Sequence, residues 1–320
     1  MTQAGEVLSS NEIHRVILHP GSETYAAEVQ AAAMTITTGL AVYHNGPVFA
    51  VPGNANNPDL QASIQRAKNP PTDTSSEDLQ GDQLYPAKER GAAQPVGWTV
   101  PFDDRVLSTI DLTAIEDDKI RDLLQDPDRL TALIGGLCFL RAPADMAKKK
   151  ELGIPDSIIP ETSGASVQIY SPIGLPITTD IIVAAQQMGA EPVMTSANIT
   201  GMPEAVSLEE AEAFALYTGL PLIYSDQVHH RPTRPQGSFP IFEVRSDHFA
   251  IVRPGHLSMA MLRSLLDGYD VRLANPYKER AHPNMLYFGG LPANHQNLRG
   301  PELRLAVLDH ELSTAGGAAA

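Results

Sequence analysis

The sequence predicts an α/β domain at about residues 23–265, an open sheet with helices packed on it. Two patterns carry this reading. Short apolar runs such as Val48-Phe49-Ala50-Val51 and Ser166 to Tyr170 recur along the chain, and between them lie segments whose apolar residues follow a helical period. Gly, Pro and Asn punctuate the joints, as turns require.

Residues 1–22 read as a polar lead-in, and His14 and His19 have no partners at metal-ligand spacing. Glu23 to Thr37 sets apolar side chains at 26, 27, 29, 33 and 34, a helix that Thr38-Gly39 closes. Leu40 to Tyr43 is a short strand, His44-Asn45-Gly46-Pro47 a turn by composition, and Val48 to Val51 a second strand. After a loop at Gly53 to Pro58, Asp59 to Lys68 is a helix with Leu60, Ile64 and Ala67 inward. Residues 69–94 are rich in Pro, Thr, Ser, Asp and Glu with little to bury, and read as a mobile insertion.

Trp98 to Phe102 returns to apolar character. Asp117 to Leu130 is helical, with Ile120, Leu123 and Leu124 on one face, and Leu133 to Leu140 is a buried strand. Lys148-Lys149-Lys150 is a cationic run, read as a solvated helix face, with a contact to RNA or phosphate as the alternative. Ser166 to Pro172 is a strand, and Thr178 to Gly189 a helix with Ile181, Ile182, Ala185 and Met188 inward. Ser207 and Glu210 form a capping box that opens a helix to about Tyr217. Pro221 to Tyr224 is a strand. His229-His230 sits in a loop with Arg231 and Arg234, and adjacent histidines diverge on any regular backbone, which disfavours a metal site. Pro240 to Val244 and His248 to Val252 are paired strands, and Ser258 opens a last helix through Leu266. Residues 266–320 read as a surface-packed extension without chemistry of its own.

The composition suits a soluble globular protein of 320 residues, 42% hydrophobic and 19% charged. No apolar run approaches the roughly 18–20 residues of a membrane span, and the N-terminus lacks a signal-peptide pattern, so a cytoplasmic, membrane-free protein is expected. The single cysteine, Cys138, excludes an internal disulfide and sits in an apolar run, as a buried inert thiol does. The net charge of −15 disfavours general adhesion to nucleic acid, although a local basic groove could still contact RNA.

The chemistry concentrates in Glu191 to Glu204, EPVMTSANITGMPE. The apolar run Pro192-Val193-Met194 delivers Thr195, Ser196 and Asn198 onto a loop, and Gly201 and Pro203 turn the chain away. Hydroxyl and amide donors beside glycine suit an anion or nucleotide phosphate, and they equally suit a strand exit that satisfies its own backbone. Further on come Gln236-Gly237-Ser238, a strand pair, and Arg253-Pro254-Gly255-His256.

This ordered set resembles the C-terminal half of the YrdC-like family, whose best-known members are threonylcarbamoyl-adenylate synthases acting in tRNA modification. Upstream, Gly39 to Tyr43 is similar to the family's Gly-led strand, Asn56-Asn57-Pro58 to its Asn-rich loop, and Lys68 falls on its lysine. The chain departs from the family at five places. His44 to Pro47 replaces a Pro-Thr-acid-Thr loop, and Pro70 and Tyr170 replace arginines. Ile134 to Cys138 replaces a Pro-Gly-Pro-Leu-Thr-like stretch, and Phe239 replaces the threonine after Ser238.

The resemblance implies a YrdC-like twisted open mixed sheet with flanking helices. It also implies ATP with Mg²⁺, threonine and bicarbonate as reactants, the resulting carbamate attacking the α-phosphate with loss of pyrophosphate. In that reading Lys68, Thr195, Ser196, Asn198, Ser238 and Arg253 contact ATP and its phosphates. Gly201, Gly237 and Gly255 shape the loops, and His44 and Asn45 stand in the substrate loop. No catalytic nucleophile or resident metal ligand set is implied. The family's association with double-stranded RNA sits poorly with the acidic charge. A non-catalytic module binding nucleotide or RNA is the alternative.

Overall fold

The computed structural model describes residues 13–69, 96–199, 203–228, 237–274, 286, 291–295 and 297–315. Apart from Asn69, the expected insertion at 69–94 lies outside these, as do Gly201, His229, His230, Arg231 and Arg234.

In chain order the elements are β1 (Arg15–Leu18), α1 (Tyr25–Thr38), β2 (Val42–Asn45), β3 (Val48–Asn54), α2 (Leu60–Lys68) and β4 (Gly97–Thr99). There follow α3 (Asp104–Leu107), α4 (Asp118–Leu124), α5 (Pro127–Ile134), β5 (Phe139–Pro143), α6 (Met146–Leu152), β6 (Ser166–Tyr170) and α7 (Pro176–Gln187). The chain continues through β7 (Pro192–Ser196), α8 (Leu208–Thr218), β8 (Leu222–Ser225), β9 (Ile241–Val244), β10 (Phe249–Arg253), α9 (Met259–Leu265), β11 (Val271–Leu273) and α10 (Gly300–Ala315). The strands form one mixed sheet in the order β1-β8-β2-β3-β7-β4-β6-β5-β9-β10-β11. No helix among the described residues is long and apolar enough to cross a membrane.

Both faces of the sheet are covered, and the period of two along each strand decides which side chain goes where. Val42, Leu222, Val51 and Val193 join the larger core, which holds Trp98, Phe49 and Phe242. Their neighbours Tyr43, Ile223, Ala50 and Met194 point to the other face, where α1 and α7 close the smaller core with Ala32, Ala33, Ile36, Ile181 and Ile182.

Several expectations are corrected. The polar lead-in contains β1, which pairs in parallel with β8, Val16 opposite Ile223. The helix expected over 117–130 is two, because Asp126 caps a new start by accepting from the Arg129 amide at 2.9 Å and Pro127 takes the first helical position. The apolar run 133–140 therefore begins as the end of α5, and the strand starts only at Phe139. A short apolar run cannot by itself distinguish a buried helix end from a strand.

The lysine run forms α6, and its middle residue is not solvated. Lys149 is buried and its Nζ lies 2.5 Å from Asp156 and 3.5 Å from Glu161. The C-terminal region is not merely laid on the surface, since Leu303, Val307 and Leu308 of α10 are buried against the larger core. The capping box of α8 forms as read, Ser207 and Glu210 bonding reciprocally.

Candidate functional site

The sheet brings the end of α2 to the end of β7. Lys68, the last residue of α2, is 5% exposed. Its Nζ donates to the Ser196 carbonyl at 2.7 Å, to Asn198 Oδ1 at 2.7 Å and to Ser196 Oγ at 3.3 Å. Ser196 Oγ donates in turn to Asn198 Oδ1 at 2.7 Å. Thr195 and Ser196 belong to β7 itself, opposite Val51 and Ala50 of β3, so the strand places the hydroxyls rather than the loop after it. The result is a half-buried cluster of one ammonium, hydroxyls and an amide, in which the lysine is already oriented by neutral oxygen atoms.

A second cluster joins Ser238 and Arg253, as the sequence suggested, around a carboxylate it did not. The Ser238 amide and Oγ both donate to Glu204 Oε1. Burial pushes the Glu204 carboxyl up, but the Ser238 hydrogen bonds and the Arg253 charge outweigh it and hold the group below its ordinary value. Arg253 is lowered to about 10 by burial, with the Glu204 charge opposing that shift, so it remains cationic at neutral pH. Its Nε donates to the Phe239 carbonyl at 3.0 Å.

Gly255 sits in left-handed backbone, φ +64°, and a Cβ there would collide with the Ser238 carbonyl and approach Pro240 N to 2.6 Å. Gly237, at φ +148°, precedes Ser238. Glu204 thus takes both Ser238 donors, with the Arg253 charge acting on it.

The substrate-loop expectation is corrected. His44 and Asn45 lie in β2, and only Gly46-Pro47 form the turn. Asn45 is fully buried, accepting from Thr178 Oγ1 at 3.1 Å and directing Nδ2 at Met194 Sδ, so a substrate in the cleft would not reach it. His44 packs on Phe49, ring centres 5.0 Å apart. It lines a cavity of about 150 Å³ with Tyr43, Leu175, Thr178, Gln227 and Glu311.

Tyr170, which stands where the family has arginine, is also fully buried. Its hydroxyl donates to the Gly136 carbonyl at 3.0 Å, and its ring packs against Phe139 and Phe239, each with centres 4.9 Å away. Burial first, and then the Glu311 charge, raise its pKa.

Glu204, His256 and Glu311 were not foreseen as site residues. Glu204 ends the very stretch that drew attention and offered a signal, a carboxylate beside a turn. Glu311 offered none, because an acid on a remote helix declares no partner. Among the described residues no three His, Cys, Asp or Glu side chains group to hold a metal ion. The donors around Lys68 and Ser238 suit an anion, not bare Mg²⁺.

No family model matches the sequence, and no curated protein matches it either. Solved structures do match in fold. Sua5 from P. abyssi, complexed with L-threonine, superposes with a TM-score of 0.55 at 16% identity, over 80% of this chain and 62% of that one. The chain thus spans less than two thirds of that Sua5. YciO from E. coli gives 0.50 at 16% identity over 76% and 96%. A hypothetical protein from Streptococcus mutans gives 0.52 at 10% over 82% and 98%. The mixed, twisted, helix-flanked sheet described above is the YrdC-like architecture of these structures.

Proposed function

We propose that this YrdC-like chain binds a nucleotide by its phosphates, and that the reaction it serves is adenylate formation of the threonylcarbamoyl type. The observation that carries the reading is the Lys68 ammonium held over Ser196 and Asn198, with the Ser238–Arg253 cradle as a second anion-binding element. Phosphoryl and nucleotidyl transfer need little covalent chemistry from a protein. They need the phosphates positioned and their charge neutralised.

Lys68 would neutralise phosphate charge while Ser196 Oγ and the Asn198 amide orient it. Arg253 would act at longer range, and Glu204 would have to yield its two Ser238 donors to an incoming oxyanion. Mg²⁺ would arrive on the nucleotide phosphates. Threonine enters this proposal through the fold likeness to a Sua5 crystallised with that amino acid.

A second reading, a nucleotide-binding module without turnover, is favoured by one observation. The amino-acid side of the cleft is altered, with Asn45 buried and Tyr170 in place of a cation. RNA as the sole ligand sits poorly with a net charge of −15.

Calorimetric titration with ATP and Mg²⁺, with and without threonine and bicarbonate, tests both. Binding that disappears in Ser196→Ala plus Asn198→Ala, followed by pyrophosphate release when threonine and bicarbonate are added, is the expected result. Binding without release would select the module, and no binding would remove the nucleotide reading.

A further inference from the structure

We infer that Glu311 and His256 form a buried strut from α10 to Ser238, and that both are positioning residues for the donors Ser238 offers to an anion. The inference rests on the nucleotide-binding reading above. It starts from the two ends of Ser238. The Ser238 amide and Oγ go to Glu204, while its carbonyl is taken by His256. The His256 amide donates to that carbonyl at 2.9 Å, and the ring Nδ1 stands 3.4 Å from the same oxygen. Gly255 closes on this oxygen too, leaving no room for a Cβ. The carbonyl end of Ser238 is therefore fixed by the two residues that follow Pro254.

The His256 ring is itself fixed from three directions. It is fully buried, and it packs edge-on against Phe239, the residue after Ser238, with centres 5.7 Å apart. Its backbone carbonyl accepts from the Leu286 amide at 2.8 Å. Its Nε2 stands 2.7 Å from Oε1 of Glu311, which is 4% exposed. A carboxylate beside one ring nitrogen sets the ring's orientation, and so what the other nitrogen presents. Buried carboxylates are rare unless a partner compensates them, and this one meets the imidazole that backs Ser238.

Helix α10 delivers Glu311 to a defined point. Arg304 lies seven residues earlier, about two turns, and so on the same helical face. Its Nε donates to the Gly135 carbonyl at 2.6 Å and its Nη2 to the Ile173 carbonyl at 2.7 Å. Gly174, at φ +115°, lets the helix come close, since a Cβ there would lie 2.7 Å from both Leu308 Cδ1 and Arg304 Nη2. Leu303, Val307 and Leu308 are buried along the same contact.

The contacts run in one line, Glu311 to His256 to Ser238 to Glu204. The donors at its far end are those an incoming oxyanion would take over from Glu204. Donors bind tightly only when the groups behind them hold their aim. Lys68 has its own partners on β7 and no contact with this line among its printed bonds, so the strut is expected to act through Ser238 alone.

Calorimetry of ATP–Mg²⁺ on the full-length protein tests this, with Glu311→Gln made in wild type, in Ser238→Ala and in Lys68→Met. Glu311→Gln is expected to weaken binding about tenfold, the worth of one well-aimed hydrogen bond. That loss should shrink below threefold in Ser238→Ala and stay near tenfold in Lys68→Met, because only the first background removes what the strut holds. An equal loss in all three, or none in wild type, would overturn the inference and leave the nucleotide reading intact. Absence of ATP binding by wild type would overturn both. Nitrogen NMR of the His256 ring in wild type needs no substitution. Saturating ATP should shift its Nδ1 signal, and a signal that stays in place while ATP binds would also overturn the strut.

Discussion

Lys68 and Asn198 lie 130 residues apart in sequence and 2.7 Å apart in space, Nζ to Oδ1. The contact ties the last turn of α2 to the strand end of β7 and aims a buried ammonium at the polar stretch. A hydrogen bond to a charged group is worth about 1.5–3 kcal/mol. Lys68→Met keeps the aliphatic stem and removes the charge. It is expected to lower stability by roughly 2 kcal/mol in urea titration and to reduce ATP affinity by more than tenfold. Unchanged ATP affinity in a folded Lys68→Met protein would remove Lys68 from the site.

Glu204 supplies a pH signature. Its folded pKa is depressed, so its contribution to stability is complete above the ordinary glutamate pKa of about 4.3. That contribution is lost as pH falls through the lower folded value. Glu204→Gln should therefore be less stable than wild type by about 1–2 kcal/mol at pH 7, with the gap narrowing below about pH 4. A gap that is constant with pH would show that the carboxylate charge is not what Ser238 and Arg253 hold.

Tyr170→Arg restores the family residue on paper. In this fold it would bury a second guanidinium beside Arg304, in a pocket closed by Phe139 and Phe239. An uncompensated buried charge costs about 3–5 kcal/mol, so the variant is expected to melt far below wild type and to gain no activity. A stable Tyr170→Arg protein with improved ATP binding would mean that the aromatic packing yields easily.

Gly255→Ala tests the turn under Arg253. The added Cβ meets the Ser238 carbonyl and the backbone demands positive φ, so a loss of roughly 3 kcal/mol or more is expected. Chemical denaturation measures it, and a near-neutral result would show that this turn relaxes.

Much of the sheet was legible because strand and helix periods differ. Val42 and Tyr43 alternate between the two cores, and Leu60, Ile64 and Ala67 share one helical face, so apolar spacing alone assigns them. The reading failed where a run was too short to show a period, as at Leu133 to Leu140. It failed again where pairing partners were distant, as for β1, whose four residues become a strand only beside β8.

In the candidate site the residue types were readable but their partners were not. Ser238 and Arg253 were singled out by their types and order, while Glu204, which takes both Ser238 donors in the fold, was not. Asn45 looked like a loop residue because Gly46-Pro47 follows it, yet the strand carries it inside to Thr178.

The sequence alone determined the α/β class and the helix caps at Ser207 and Ser258, because these depend on local periodicity and on side chains bonding to their own backbone. Tertiary structure alone decided which charge meets which. Lys68 reaches Asn198, Lys149 turns inward to Asp156, Arg304 reaches carbonyls more than a hundred residues away, and Glu311 meets His256. A charge carries no local signal of its partner, since its pairing is settled by burial and by the geometry of elements that meet only when the sheet closes around them.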